Sequence, residues 1–346
     1  MITAMDFGCH AIRSAYRDPR TPDRITMFCE RTEYAELPNT EPFRNALEAA
    51  HTPYAECEDS LVIFGNRAAD VSWLSRRPRA AIFSDGCVPS DDAPARQMLN
   101  ILVNCMLPVQ RDNRRICVFT VPGSEHRMRN EQFLARLILM NGYVPMSVRP
   151  TQAALLAAGS ETAFSGITIV MGAETTHISI ARQGVELVSS VISAGAEWVD
   201  MEMARQFKLQ IWDDSGVCYL DPEAVRQWKL ESDVHLRNAV GEREKMFSRL
   251  YGVLLDRVAR SIHKLLNDTR VKSDFGDQRL PVLCAGGATK TAGFASALTE
   301  RLVDHDIAPR IQFVRNADDE TTAVLRGLLI HGELEAKRET SAEHAA

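Results

Sequence analysis

Two short segments, far apart in the chain, limit what it can fold into more than anything else in it: MDFGCHAIRSAY (residues 5–16) and IVMGAETTHISIARQG (residues 169–184). Each runs from an apolar, β-rich stretch through a turn of small residues into a second, alternating stretch, which reads as strand, tight turn, strand. Two such hairpins in opposite halves of a 346-residue chain favour two similar domains, because a single core rarely extends so far. Hairpins placed in that way face each other across a cleft, and clefts between domains are common ligand sites.

The remaining pattern alternates strands with helices. LVIFG (61–65), RICVFTVPG (115–123), GYVPMSV (142–148), PVLCAGG (281–287) and IQFV (311–314) read as strands. Residues 95–107, a stretch from about Glu125 to Asn141, TQAALLAAG (151–159), 194–212, DPEAVRQWKLES (221–232), Gly293–Leu302 and a last segment from about Thr321 read as helices. The longest helix, 242–268, places Phe247, Leu250, Leu254, Val258, Ile262 and Leu265 on one face, which is expected to be buried. The class is α/β, with hairpins mixed into each sheet. Domains are expected at 1–150 and 151–336, with smaller subdomains within about 17–95 and 200–240, and the polar residues 337–346 are expected to fray.

Charge and composition exclude several functions. Forty Lys and Arg against 46 Asp and Glu give a net charge of −6, without a basic stripe, so nucleic acid is not an expected partner. No apolar run reaches the roughly 18–20 residues that span a bilayer, and MITAMDFGCH has no signal-peptide character, so a cytoplasmic location is expected. The eight cysteines form no CxxC pair and the nine histidines no HExxH, which argues against a disulfide framework or a zinc site. Cys117 and Cys284 sit in apolar strands and read as buried small hydrophobes.

The order of the pieces resembles the actin-like ATPases, the superfamily of MreB, MamK, actin, DnaK-type chaperones and sugar kinases. DFGC (6–9) resembles their first phosphate loop, VMGAETT (170–176) the second, and LCAGGATKTAGF (283–294) the adenosine motif. VFTVPGS (118–124), RPTQAALLAAG (149–159), AGAEWVD (194–200) and TTAVLRGLL (321–329) resemble further family segments in the same order. The resemblance implies a two-domain, ribonuclease H-like fold, each domain a mixed sheet flanked by helices, with a nucleotide cleft between them. It implies ATP and Mg²⁺ as cofactors. Asp6 would order the water around the metal, while Gly8, Cys9, Gly172, Thr175 and Thr176 would meet the phosphates. Gly286, Gly287 and Ala288 would line the adenosine, with Glu223 and Arg226 clamping the ribose side or forming a plain i,i+3 ion pair. His177 reads as a strand residue and Lys290 as a surface lysine.

The chain departs from that pattern where the chemistry lies. Val170 stands where the resemblance places a second acid, Glu174 where it places a glycine, and Cys9 where Ser or Thr is usual. Arg149 or Pro150 stands at the water-positioning glutamate, and Gln152 is the nearby group able to orient a water. Two readings follow. In one, Glu174 and Gln152 compensate and hydrolysis is slow; in the other, the chain is a pseudo-ATPase using nucleotide, or none, to set domain closure. Length and order fit the MreB and MamK size class, which implies self-association into filaments. The alternative is a non-polymerising actin-like scaffold binding a protein partner, as in pilus assembly.

Overall fold

The computed structural model describes residues 2–345 apart from 18–23, 72–73, 75–77, 84–85, 89–90, 109–114, 124–126 and 214. The first segment forms β1 (Ile2–Phe7) and β2 (Ala11–Arg17), paired antiparallel with Asp6 opposite Arg13, and β3 (Ile25–Arg31) adds to β2. A smaller unit follows, built of β4 (Glu33–Pro38), α1 (Glu41–Ala49), β5 (Ala55–Cys57), β6 (Ser60–Phe64), α2 (Asn66–Asp70) and β7 (Ala80–Ala81). Its four strands run in the order β5-β6-β4-β7. The chain then returns through α3 (Ala93–Met106), β8 (Ile116–Thr120), α4 (Arg127–Met140) and β9 (Val144–Ser147). The start expected for α4 at Glu125 lies outside the described residues.

The second half opens with α5 (Pro150–Ala158) and repeats the plan with β10 (Gly166–Met171), β11 (Thr176–Arg182) and β12 (Val185–Ile192). Next come α6 (Ala196–Gln206), the hairpin β13 (Gln210–Trp212) and β14 (Cys218–Leu220), α7 (Pro222–Glu231), α8 (Glu242–Leu266) and α9 (Thr269–Phe275). The chain closes with β15 (Leu280–Ala285), α10 (Phe294–Asp304), β16 (Ile311–Asn316) and α11 (Ala323–Ala345). The large sheets run β3-β2-β1-β8-β9 and β12-β11-β10-β15-β16, one topology used twice, so the paired hairpins of the sequence occupy equivalent places.

Helix α8 buries all six residues expected on its inner face, packing them under the second sheet. Cys117 and Cys284 are fully buried in the central strands β8 and β15. Helix α6 stops at Gln206, so that 210–212, read from the sequence as its continuation, is a strand. The stop is a left-handed Lys208, with Lys208 N donating to Arg205 O at 3.3 Å and Leu209 N to Ala204 O at 2.9 Å. This is a Schellman end without its usual glycine. The polar residues 337–345, expected to fray, continue α11 as helix.

Between the halves lies a core of alanines, valines and leucines, among them Ala4, Ala153, Ala285 and Leu328. Helix α5 packs on the second sheet, and α11 reaches back to cover β1 and β8 of the first. The two helices cross in backbone contact: a Cβ at Gly327 would lie 1.7 Å from the Ala153 carbonyl oxygen.

Candidate functional site

The strand β1 delivers the chain into the loop Gly8–His10, which is closed by Gly8 N donating to Ala11 O at 3.1 Å. Opposite it, β10 runs into Gly172–Thr175, closed by Gly172 N donating to Thr175 O at 2.9 Å. The first amides of α6 support this second loop: Ala196 N reaches Gly172 O at 3.1 Å and Glu197 N reaches Ala173 O at 2.9 Å. That satisfies donors a helix start leaves open. Because peptide units are planar and trans, carbonyls turned toward α6 turn the N–H groups of Ala173 and Glu174 the other way.

A cavity of about 540 Å³ lies between the loops. Asp6, Gly8, Cys9, Gly172, Glu174, Thr175, Glu223, Arg226, Gly286, Gly287 and Ala288 all line it, as the sequence motifs suggest. Two singled-out residues do not. Thr176 is fully buried and donates its hydroxyl to Ala194 O at 2.8 Å, so it braces the loop from behind. Gln152 sits half-buried on α5, outside the lining.

At the end bounded by the two loops, Asp6 accepts from Thr120 Oγ1 at 2.9 Å and lies 3.8 Å from Arg13. Burial raises its pKa, against the pull of Arg13 and Thr120. Val170 presents an apolar, buried side chain to the same cavity. Glu174 lines the cavity and accepts a hydrogen bond from Gly86 N, a residue of the first half, at 2.6 Å. Gly86 belongs to a segment clamped by the fully buried Asn130, whose amide accepts from Val88 N at 3.1 Å and donates to Gly86 O at 2.7 Å. Burial and then the neighbouring Glu174 push the Cys9 thiol well above its ordinary pKa.

Arg149 is turned away, bonded to Glu186 and, at 2.6 Å, to Ser189 Oγ, and the next residue, Pro150, meets the cavity. His177 also lines it, with Nε2 3.4 Å from Thr175 Oγ1. Burial, reinforced by Arg127 and Arg149, lowers its pKa to about 4, so it is neutral near pH 7. The alternation of the hairpin hid this residue, since position 177 is as good a strand residue as a cavity residue.

The other end is built from charge. Arg226 binds Glu223 at 3.0 Å and Glu197 at 2.9 Å, and Lys229 binds both oxygens of Asp200 at 2.6 and 2.8 Å. Glu223 in turn meets Arg79 at 3.0 Å and Arg31 at 3.5 Å, residues of the first half of the chain. The ion pair anticipated at Glu223 and Arg226 is therefore one link of a network bridging the cavity mouth. Glu197 and Asp200, three apart on α6, were visible in AGAEWVD only as a helix start. Lys290 is part of the lining as well. Gly286 has φ of +99°, and a Cβ there would stand 2.2 Å from Met171 O, so β15 and β10 close this wall only with glycine.

Two sheets of one topology, hairpin loops converging on a shared cavity and a pair of crossing helices beneath define an actin-like, two-domain protein. The family model described as Volactin matches residues 1–332, and the chain belongs to that family. No curated protein matches its sequence. Among solved structures it is similar to the MamK double helical filament, with a TM-score of 0.68 at 14% identity, covering 96% of this chain and 98% of that one. It is similar also to MreB5 of Spiroplasma citri bound to AMPPNP, with a TM-score of 0.62 at 14% identity over 99% and 98% of the two chains. The ethanolamine utilization protein EutJ from Carboxydothermus hydrogenoformans gives 0.53 at 14% identity over 95% and 88%. Identities this low speak for the fold alone. No described helix is long and apolar enough to cross a membrane.

Proposed function

We propose that the chain is a nucleotide-binding bacterial-actin homologue that assembles into filaments, with ATP hydrolysis weak or lost. The observation that carries this reading is the cavity of about 540 Å³ into which both phosphate-type loops and the Gly286–Ala288 wall open. The named ligand of the MreB5 structure, AMPPNP, and the filament form of MamK support it by likeness of fold. An exposed apolar tip adds to it: Trp212 and Val217, on the β13–β14 hairpin, are 58% and 46% exposed and offer a surface for self-association.

The chemistry of the cavity favours weak hydrolysis. Phosphoryl transfer depends on placed charge and an oriented nucleophile. Here Val170 cannot order a hydrated metal, Arg149 is engaged elsewhere and Gln152 is outside the lining. The donor set does not fit a resident Mg²⁺. Asp6 already faces a guanidinium, and no group of three or more His, Cys, Asp or Glu able to hold a metal occurs among the described residues. A metal would enter only with the phosphates of its ligand.

One observation favours a second reading, a pseudo-ATPase scaffold that binds a protein partner. Glu174 and Glu223 join the two halves directly, through Gly86 N and Arg79. Calorimetric titration with AMP, ADP and MgATP, followed by high-speed pelleting with each, tests the choice. Binding with nucleotide-dependent pelleting and no phosphate release above background is expected. If nothing binds at millimolar nucleotide and the protein stays in the supernatant, the filament reading fails and the scaffold reading takes its place.

A further inference from the structure

The Glu174 carboxylate occupies an unusual place. It rises from the second loop, lines the cavity beside Cys9 of the first loop and ends 2.6 Å from the backbone N–H of Gly86. A backbone N–H of a glycine-bearing turn is a donor of the kind a phosphate oxygen uses. Here it is held by a carboxylate of the chain itself, in a charge-assisted bond of the stronger kind. The donor is fixed from behind, since Asn130 clamps Gly86 O and Val88 N on the two sides of the turn. The countercharge is also internal: Arg13 lies 3.8 Å from Asp6, and both line the same cavity. The region between the loops thus carries its own anion and its own cation. The opposite end, walled by Gly286 to Ala288, pairs its charges with one another, Arg226 with Glu223 and Glu197 and Lys229 with Asp200, outside the loops.

We propose that the cavity selects a nucleoside bearing at most one phosphate over a nucleoside triphosphate, and that Glu174 is the residue setting this selectivity. The proposal rests on the nucleotide reading of the cavity given above. A short ligand fills the adenosine end and leaves the Glu174–Gly86 bond in place. A triphosphate must displace the carboxylate, lose that bond and still place its terminal phosphate beside a like charge in a partly desolvated space.

The test compares the full-length wild type with Glu174→Ala and Glu174→Gln by calorimetric titration with AMP and with MgATP. The wild type is expected to bind AMP about tenfold or more tightly than MgATP, and that ratio is expected to fall by about tenfold or more in Glu174→Ala. Glu174→Gln keeps the length of the side chain without its charge. It should lie between the two, and it carries the comparison if the alanine variant folds poorly. A wild type that binds MgATP as tightly as AMP overturns the selectivity while leaving the nucleotide reading intact. An unchanged ratio in both variants removes Glu174 from the role. If neither ligand binds any of the three proteins, both the selectivity and the nucleotide reading fail.

Discussion

Glu223 on α7 and Arg79 before β7 lie 3.0 Å apart across the mouth of the cavity, one from each half of the chain. Burial works against the Glu223 charge, but the Arg226 hydrogen bond and the charges of Arg226, Arg79 and Arg31 outweigh it and hold its pKa below the ordinary 4.5. The stabilisation is therefore present above pH 4.5 and lost as pH falls through the lowered value. Glu223 is 36% exposed, so solvent screening limits each pair to about 0.5 kcal/mol. Arg79→Ala should leave the melting temperature nearly unchanged while raising amide hydrogen exchange in β4 and α7. Unaltered exchange there would mean that the pair does not hold the mouth shut.

Stability should fall with acidification well before the carboxylates titrate. His177 and His10 are both held near pKa 4, mainly by burial, from an ordinary 6.5. Groups held neutral in the fold but protonated when unfolded favour the unfolded chain as pH drops from 6.5 toward 4. Each should cost roughly 2 kcal/mol at pH 5 relative to pH 7. Urea denaturation at the two pH values measures the sum, and His177→Asn should remove about half of the difference.

Asn130 clamps the turn to which Glu174 is bonded. Its amide is fully buried and joins α4 to both Gly86 and Val88, so truncation leaves those backbone groups unpaired. Asn130→Ala should destabilise the protein by about 2–4 kcal/mol, read as a shift in denaturation midpoint. A loss under 1 kcal/mol would show that the Gly86 turn holds its form without the clamp.

The apolar hairpin tip can be separated from the fold. Trp212 is 58% exposed, so Trp212→Asp should change folding stability by no more than about 0.5 kcal/mol. The same substitution should abolish nucleotide-dependent pelleting. Pelleting that survives it would place the self-association surface elsewhere.

The repeated sheet topology was legible from two hairpins because a β-rich run, a small-residue turn and an alternating run carry a strong local pattern. The buried face of α8 was legible for the same reason, through its helical spacing. What escaped notice depends on geometry that only the folded chain supplies. Nothing in the sequence marks Lys208 as the left-handed residue that ends α6, since that position is usually glycine. Glu174 was visible as a misplaced acid, but its partner is a backbone amide, and backbone donors leave no trace in a sequence. Glu223 was legible beside Arg226, but its partner Arg79 reads as an ordinary residue until two distant segments bring them together.

The crossing of α11 over α5 sets how the molecule can move. With Gly327 pressed onto the Ala153 carbonyl, no side chain separates the two helices at that point. Side-chain layers let helices slide past one another by changing rotamers; backbone against backbone resists sliding at the point of touch and favours rotation about it. A pivot there would express a change at the loops as an angle at the distant tips, as a rivet does for scissor blades. A methyl group at position 327 would not stiffen that pivot but prise it apart.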